Sequence, residues 1–283
     1  MKISNEIRNS LKISIGAIAE KITPYIAKDL DNGVTNGRNV FLKRMIFHAR
    51  MQKAIKIKDP NYIDKVSRQW WTGDIAAYFY GKYTAHTNRF EDLFLRHFFW
   101  SVDGLAMLKE RFGYKTIVEF GCGDGSVLRH LAHRLPDIDK LIGIDINGVI
   151  IEKNNLTADD RCSYVCSRIQ DFFQIQSIGQ FIAFTFGGVL EYLSPHDLRQ
   201  FYANLHRRGC SITLVEPLSS DPKVSKKGGS TFIGSEVAYF DHDHAAYLSE
   251  AGFTVMQERI VNLMSYRWLF VVAAPKSSQQ FDT

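Results

Sequence analysis

The stretch Thr116-Ile-Val-Glu-Phe-Gly-Cys-Gly-Asp-Gly-Ser-Val-Leu-Arg-His-Leu131 decides the fold. A β-branched and aromatic run gives way at Gly121 to alternating glycines, and from Ser126 apolar residues return at helical spacing. The segment therefore reads strand, tight turn, amphipathic helix. Gly121, Gly123 and Gly125 permit positive φ and remove the Cβ atoms that would hold a ligand off the backbone. A small molecule is expected there. About twenty residues beyond Gly125, the apolar run Leu141-Ile-Gly-Ile144 ends at Asp145, where a carboxylate can accept hydrogen bonds from both hydroxyls of a ribose. Turn and acid together predict a nucleoside-containing cofactor.

Outward from this motif, short apolar runs at Thr116–Phe120, Lys140–Ile144, Cys162–Cys166, Phe181–Phe186, Ser211–Val215, Thr254–Val261 and Trp268–Ala274 alternate with stretches of helical spacing. Such alternation implies crossover helices and parallel strands. The last two runs are separated only by Asn262–Arg267, too little chain for a crossover, so they should pair antiparallel. The expected fold is α/β: a doubly wound, mainly parallel seven-stranded sheet with a C-terminal antiparallel hairpin over residues 101–276, then a polar tail, 277–283. Residues 1–100 read as a helical N-terminal cap, interrupted at Pro24, Asn32-Gly33, Asn36-Gly37, Pro60 and Gly73. Its second half, from Gln69-Trp-Trp to Phe98-Phe-Trp100, holds more aromatics than one helix face needs, as a layer docked on a sheet or a pocket wall would.

Glu119 narrows the cofactor. A carboxylate closing the first strand would repel the pyrophosphate of a dinucleotide, whereas S-adenosylmethionine has no phosphate and carries a sulfonium and an ammonium. The acid-x-Gly-x-Gly-x-Gly pattern of Glu119, Gly121, Gly123 and Gly125 resembles the first motif of the class I methyltransferases. The resemblance covers roughly residues 100–275. It continues through Asp145, Gly187-Gly-Val-Leu-Glu-Tyr-Leu193 and Ala251-Gly-Phe253. It implies S-adenosylmethionine held by Glu119, Phe120, Gly121, Cys122, Gly123 and Gly125, by Asp145 and Ile146 after the second strand, and by Ile169 or Asp171 after the third. Cys122 itself needs no role beyond that of a thiol flanked by glycines. Similar enzymes often carry an Asp directly after strand three, where this chain has Ser167-Arg-Ile-Gln-Asp171, and an acid opening strand four, where it has Gln180-Phe181. They also hold the methionine carboxylate with a Tyr and an Arg from an N-terminal helix, roles that fall here to Tyr83 and Arg89. The alternative for Arg89 is a surface side chain with its stem packed.

Methyl transfer is an in-line displacement at a carbon already activated by its sulfonium, so alignment and exclusion of water matter most. A hydroxyl acceptor also needs a base. Candidates at the carboxyl ends of the strands are His244 and His242 of the run Tyr239-Phe-Asp-His-Asp-His244, then Glu191, Glu216 and His196. The histidines follow a basic, glycine-containing loop, Lys223–Ser230, suited to a lid. Alternating Asp241, His242, Asp243 and His244 suit a divalent metal, but a helix cap at Asp241 or Asp243 with exposed histidines is favoured, and no metal is assigned. The Asn/Asp-Pro-Pro-Tyr/Phe tetrapeptide of many amino methyltransferases is absent, Phe186-Gly-Gly-Val standing in its place. The expected reaction is O-methylation of a sugar or other metabolite hydroxyl. N-methylation and methylation of RNA or protein are alternatives; a nicotinamide oxidoreductase and a non-catalytic binding module are more distant ones.

The chain has 283 residues, 45% hydrophobic and 23% charged, an ordinary globular balance. Charges through Met1–Arg8 and the lack of a long apolar run lead us to expect no signal peptide, no membrane span and a cytoplasmic protein. Cys122, Cys162, Cys166 and Cys210 form no CxxC pair and read as reduced, buried thiols. A small-molecule acceptor is the expected partner, nucleic acid is disfavoured, and a homo-oligomer stays open. The net charge of +5 is uneven, because Lys43, Arg44, Arg50, Lys53, Lys56 and Lys58 crowd one segment. A solvated helix face is the favoured reading of that run, and contact with phosphate or acidic lipid the other.

Overall fold

The computed structural model describes residues 5–31, 39–72, 90–175, 178–222, 227–234, 238–263 and 266–276. The chain divides into two compact units, one formed by residues 1–79 with 232–239 and the other by 80–231 with 240–283.

The first unit is helical: α1 (Asn5–Ile22), α2 (Pro24–Asp31), α3 (Val40–Ile57) and α4 (Pro60–Thr72). Two of the breaks are at proline, which opens a helix but cannot continue one. Gly16 lets α1 lie directly on α3, since a side chain there would collide with the Met45 backbone and Ala49. Ala19, Ile26, Leu30 and Ile46 form the buried centre. Part of the basic run turns inward. Lys43 is buried and pairs with Asp29 at 2.9 Å, and Arg50 is buried between Glu20 at 2.7 Å and Asp31 at 3.0 Å. A solvated face therefore describes only the remaining cations of the run.

The second unit opens with a π-helical stretch, Phe90–Phe98, and α5 (Ser101–Phe112). Phe94 and Phe98 are fully buried, their ring centroids 5.2 and 5.8 Å from Phe186, and Phe98 also lies 5.2 Å from Trp268. These aromatics pack on the sheet, within the unit formed by residues 80–231 and 240–283.

The sheet then builds as β1 (Thr116–Phe120), α6 (Ser126–Arg134), β2 (Lys140–Asp145), α7 (Gly148–Leu156), β3 (Cys162–Cys166), α8 (Ile169–Ile175), β4 (Ile182–Phe186), α9 (Pro195–Arg207) and β5 (Ser211–Leu218). A short pair, β6 (Ser230–Gly234) and β7 (Ala238–His242), precedes α10 (His244–Glu250), and the hairpin β8 (Phe253–Leu263) and β9 (Tyr266–Pro275) closes the fold. The seven strands are ordered β3-β2-β1-β4-β5-β9-β8, with β9 antiparallel to both neighbours. The expected seven-stranded architecture is present. The small β6–β7 pair was not anticipated, and it draws residues 239–242 out of the loop in which the sequence reading placed them.

Central strands have both faces covered, and β4 is buried at every residue. One face is closed by Leu105, Leu128, Phe184 and Phe270, the other by Phe120, Phe172, Phe201 and Leu248. Strand order reverses between β1 and β4, which opens a crevice at their carboxyl ends.

Candidate cofactor and acceptor site

The turn after β1 winds through three positive-φ glycines, Gly121 (74°), Gly123 (50°) and Gly125 (71°). An L side chain is strained in that region. Space is closed as well: a Cβ on Gly121 would strike the Val189 side chain from the loop after β4, and one on Gly125 the ring of Tyr164 from β3. The amides of Gly121 and Cys122 both donate to the Ile144 carbonyl, at 2.7 and 3.0 Å, which ties the turn to the end of β2.

Asp145 closes β2, buried. Its Oδ2 accepts the Gly123 amide at 3.0 Å and its Oδ1 the Asn147 amide at 2.9 Å. Each oxygen keeps a further lone pair for a ribose hydroxyl. Two buried asparagines brace this corner: Asn147 caps α7 through the Ile150 amide, and Asn154 donates to the Gly123 carbonyl at 2.8 Å. The sequence reading missed both, although Asn two residues after the acid at a helix start is a capping signal.

Glu119 is 2% exposed, and its Oε2 has no hydrogen-bond partner among the described residues. Burial, then the charges of Asp124 and Asp145, hold its carboxyl well above the usual range, with Arg129 partly offsetting them. Burial likewise raises Asp145, against the amides of Asn147 and Gly123 that favour its charged form. A buried acid with an unsatisfied oxygen among other acids suits a cation and disfavours a phosphate. The residues present therefore fit S-adenosylmethionine.

The other expected contacts separate. Phe120 turns its ring into the core, 5.2 Å from Phe172 and 5.1 Å from Phe201, leaving only its backbone toward the turn. Cys122 is buried, and burial pushes its thiol up, so it stays protonated; Cys162 and Cys210 are buried as expected, whereas Cys166, at the end of β3, is exposed. Ile146 is half-buried beside Asp145, and Ile169 begins α8. Asp171 lies in the first turn of α8, 4.0 Å from Arg168. Tyr83 and Arg89 lie outside the described residues.

The candidate bases separate too. His242 donates from Nε2 to the Leu193 carbonyl at 3.2 Å and accepts the Ser230 hydroxyl at Nδ1 at 2.6 Å, while Ser230 in turn accepts from Tyr247 at 2.7 Å. Both ring nitrogens are used, and burial pushes the imidazole down to about 4. His244 is buried against Tyr202, with Nδ1 at 2.7 Å from the phenol, and burial holds it well below its ordinary value. Neither histidine is exposed, contrary to the sequence reading. Asp243 does cap α10 through the Ala246 amide at 3.0 Å, as that reading favoured, and its other oxygen holds the Gly228 amide at 2.8 Å. Asp241 accepts the Ser219 amide. Among the described residues no group of three His, Cys, Asp or Glu is placed to hold a metal ion.

Glu216, fully buried on β5, accepts the Val189 and Leu190 amides at 2.9 and 3.1 Å. It fixes the loop that leans on Gly121. Glu191, in that loop's helical turn, is half-buried at the carboxyl end of β4, and its Oε1 would lie 2.7 Å from a Cβ on Gly188. His196 is exposed in the first turn of α9, 2.8 Å from Gln200.

A glycine turn, a buried acid closing β2 and buried Glu119 meet at the switch point of this sheet, an arrangement that fits an S-adenosylmethionine-dependent methyltransferase domain. Residues 117–208 match the family model described as a methyltransferase domain. In fold the chain is similar to magnesium protoporphyrin IX methyltransferase from Synechocystis PCC 6803 crystallised with S-adenosylmethionine, at 14% identity and a TM-score of 0.52, over 77% of this chain and 98% of that one. The same enzyme with S-adenosylhomocysteine matches at 14% identity and TM-score 0.52, over 77% and 100%. The 1,6-didemethyltoxoflavin-N1-methyltransferase of Burkholderia thailandensis matches at 13% identity and TM-score 0.46, over 72% and 90%. No curated protein sequence matches the chain.

Proposed function

We propose that the protein methylates a hydroxyl of a small molecule, with a sugar as the favoured acceptor class and Glu191 as the proton acceptor. The observation that carries the reading is the unequal placement of the candidate bases. His242 and His244 are buried and hydrogen-bonded, Glu216 is buried under two amides, His196 is exposed on α9 beside Gln200, and Glu191 is half-buried in the loop directly after β4. A hydroxyl requires a base in reach of solvent-derived acceptor, whereas an amine needs only to be bound unprotonated. The lack of an Asn/Asp-Pro-Pro-Tyr/Phe tetrapeptide at Phe186–Val189 agrees with a hydroxyl rather than a nucleic-acid amine.

In this reading Glu119 and Asp145 hold the cofactor's cationic and ribose parts, and the cofactor, when bound, supplies an activated methyl. Glu216 keeps the loop after β4 in register with the glycine turn, and Glu191 follows in the same loop. The test is methyl transfer to a panel of sugars, other hydroxylated metabolites and matched amines, followed by mass spectrometry of the product. Transfer to a hydroxyl is expected, with Glu191→Gln lowering kcat by about 10²–10⁴-fold and leaving S-adenosylhomocysteine affinity unchanged. Transfer to amines alone, or a fully active Glu191→Gln, would overturn the assignment.

A further inference from the structure

Helix α1 carries an apolar strip that its own packing leaves uncovered. Leu11, Ile15, Ile18 and Ile22 recur at i, i+4, i+7 and i+11, which places them within an arc of about 60°. Three of the four are strongly exposed, Leu11 at 57%, Ile18 at 59% and Ile22 at 72%, and Ile15 is half-buried. The side of the helix that packs inside the unit, at Gly16 and Ala19, lies further round the helix from the strip. Tyr25 at the start of α2 and Phe41 at the start of α3 are also exposed.

Charge accompanies this apolar surface. The unit formed by residues 1–79 and 232–239 holds fourteen Lys and Arg against eight Asp and Glu, a net +6, while the rest of the chain is net −1. Lys43 and Arg50 are consumed in internal ion pairs. Lys21, Lys28, Lys53 and Lys56 stand exposed on its helices, and Lys58 is exposed just past the end of α3.

We infer that this helical unit docks on an anionic lipid surface, with α1 lying in the plane of the interface, its aliphatic strip in the acyl boundary and the lysines toward the headgroups. A helix of this kind combines an apolar stripe with basic residues, and binding grows with both. No described helix is long and apolar enough to cross a membrane, so an in-plane position is the available one. A second copy of the chain fits less well. The strip from Leu11 to Ile22 is about 16 Å long by helix rise and about 10 Å wide, on the order of 160 Å² and well short of the roughly 800 Å² per partner of a stable interface, and pairing would oppose two units of net +6. Lipid docking of this unit does not depend on the acceptor used by the other.

The test is flotation of the full chain with vesicles of phosphatidylcholine and phosphatidylglycerol mixed about three to one, against vesicles of phosphatidylcholine alone. The protein should float with the anionic vesicles, less as salt rises, and Ile18→Glu with Ile22→Glu should weaken partitioning at least about tenfold. A milder pair, Leu11→Ser with Ile18→Ser, should weaken it in the same direction. Helicity by circular dichroism and S-adenosylhomocysteine affinity should be unchanged in both. The inference is overturned by absence of flotation with anionic vesicles, by equal flotation with neutral ones, or by full binding of both variants. It is also overturned if light scattering shows a dimer that the variants split, since the strip is then a contact between copies.

Discussion

At the scale of single residues, two acids divide the work of the cofactor turn. Asp145 is buried but already hydrogen-bonded by the Gly123 and Asn147 amides, so its cost of burial is shared. Asp145→Ala should weaken S-adenosylhomocysteine binding by about 1–3 kcal/mol, measured by calorimetry, through lost ribose bonds and a loosened turn. Glu119 has no such support for its Oε2. Its folded-state pKa stands above the ordinary carboxyl value, so between the two the folded state keeps a proton that the unfolded state sheds. Ligand-free stability is then fully present below the ordinary value and is lost as pH rises through the raised one. Glu119→Gln removes the penalty, so thermal melts of the ligand-free proteins should diverge in the variant's favour as pH rises and converge in acid. On the proposed reading, in which Glu119 faces the cofactor's cationic part, the same variant should bind the cofactor more weakly.

At the scale of elements, the loop after β4 depends on a strand it does not belong to. Its Val189 and Leu190 amides end on Glu216 of β5, and Val189 in turn fills the space over Gly121. Glu216→Ala strands two amides, each costing about 1–3 kcal/mol when left unsatisfied in a buried place. The variant should lose thermal stability and cofactor affinity together, while Glu216→Gln, which keeps one acceptor oxygen, should restore much of both. Strand β7 and helix α10 form a second such junction. The Tyr247–Ser230–His242–Leu193 chain and the Tyr202–His244 pair join them to β6, α9 and the segment that precedes it. His242→Ala is therefore expected to lower the melting temperature while the protein that remains folded keeps its turnover, measured by active-site-normalised kinetics. A rate loss without a stability loss would return this histidine to the list of bases.

At the scale of the whole molecule, charge is partitioned between the two units. The helical unit is net positive, and the sheet unit gathers Glu119, Asp124 and Asp145 at its switch point. That partition distinguishes cofactors: an acidic turn accepts a sulfonium or ammonium and rejects a pyrophosphate. S-adenosylhomocysteine at about 100 times its Kd should stabilise the protein by about 2.7 kcal/mol, and NAD at the same concentration should leave its melting temperature unchanged. A shift with NAD would reopen the oxidoreductase reading.

The sequence by itself determined the strand–turn–helix at residues 116–131, the acid that closes the second strand and the parallel sheet with its hairpin. These follow from local conformational needs and from spacings along the chain: glycine where φ is positive, and a connection too short for a crossover. Only the tertiary structure decided which polar groups are spent on the fold. Lys43, Arg50, Glu216, His242 and His244 read as surface or catalytic groups in sequence, and each is buried with partners distant in the chain. Phe94 and Phe98 belong to a stretch that reads in sequence either as a layer docked on a sheet or as a pocket wall, and their packing on Phe186 and Trp268 chooses the first. The physical reason is the same throughout. Burial and pairing are set by non-local contacts, and a titratable side chain becomes reactive or inert by its surroundings rather than by its type.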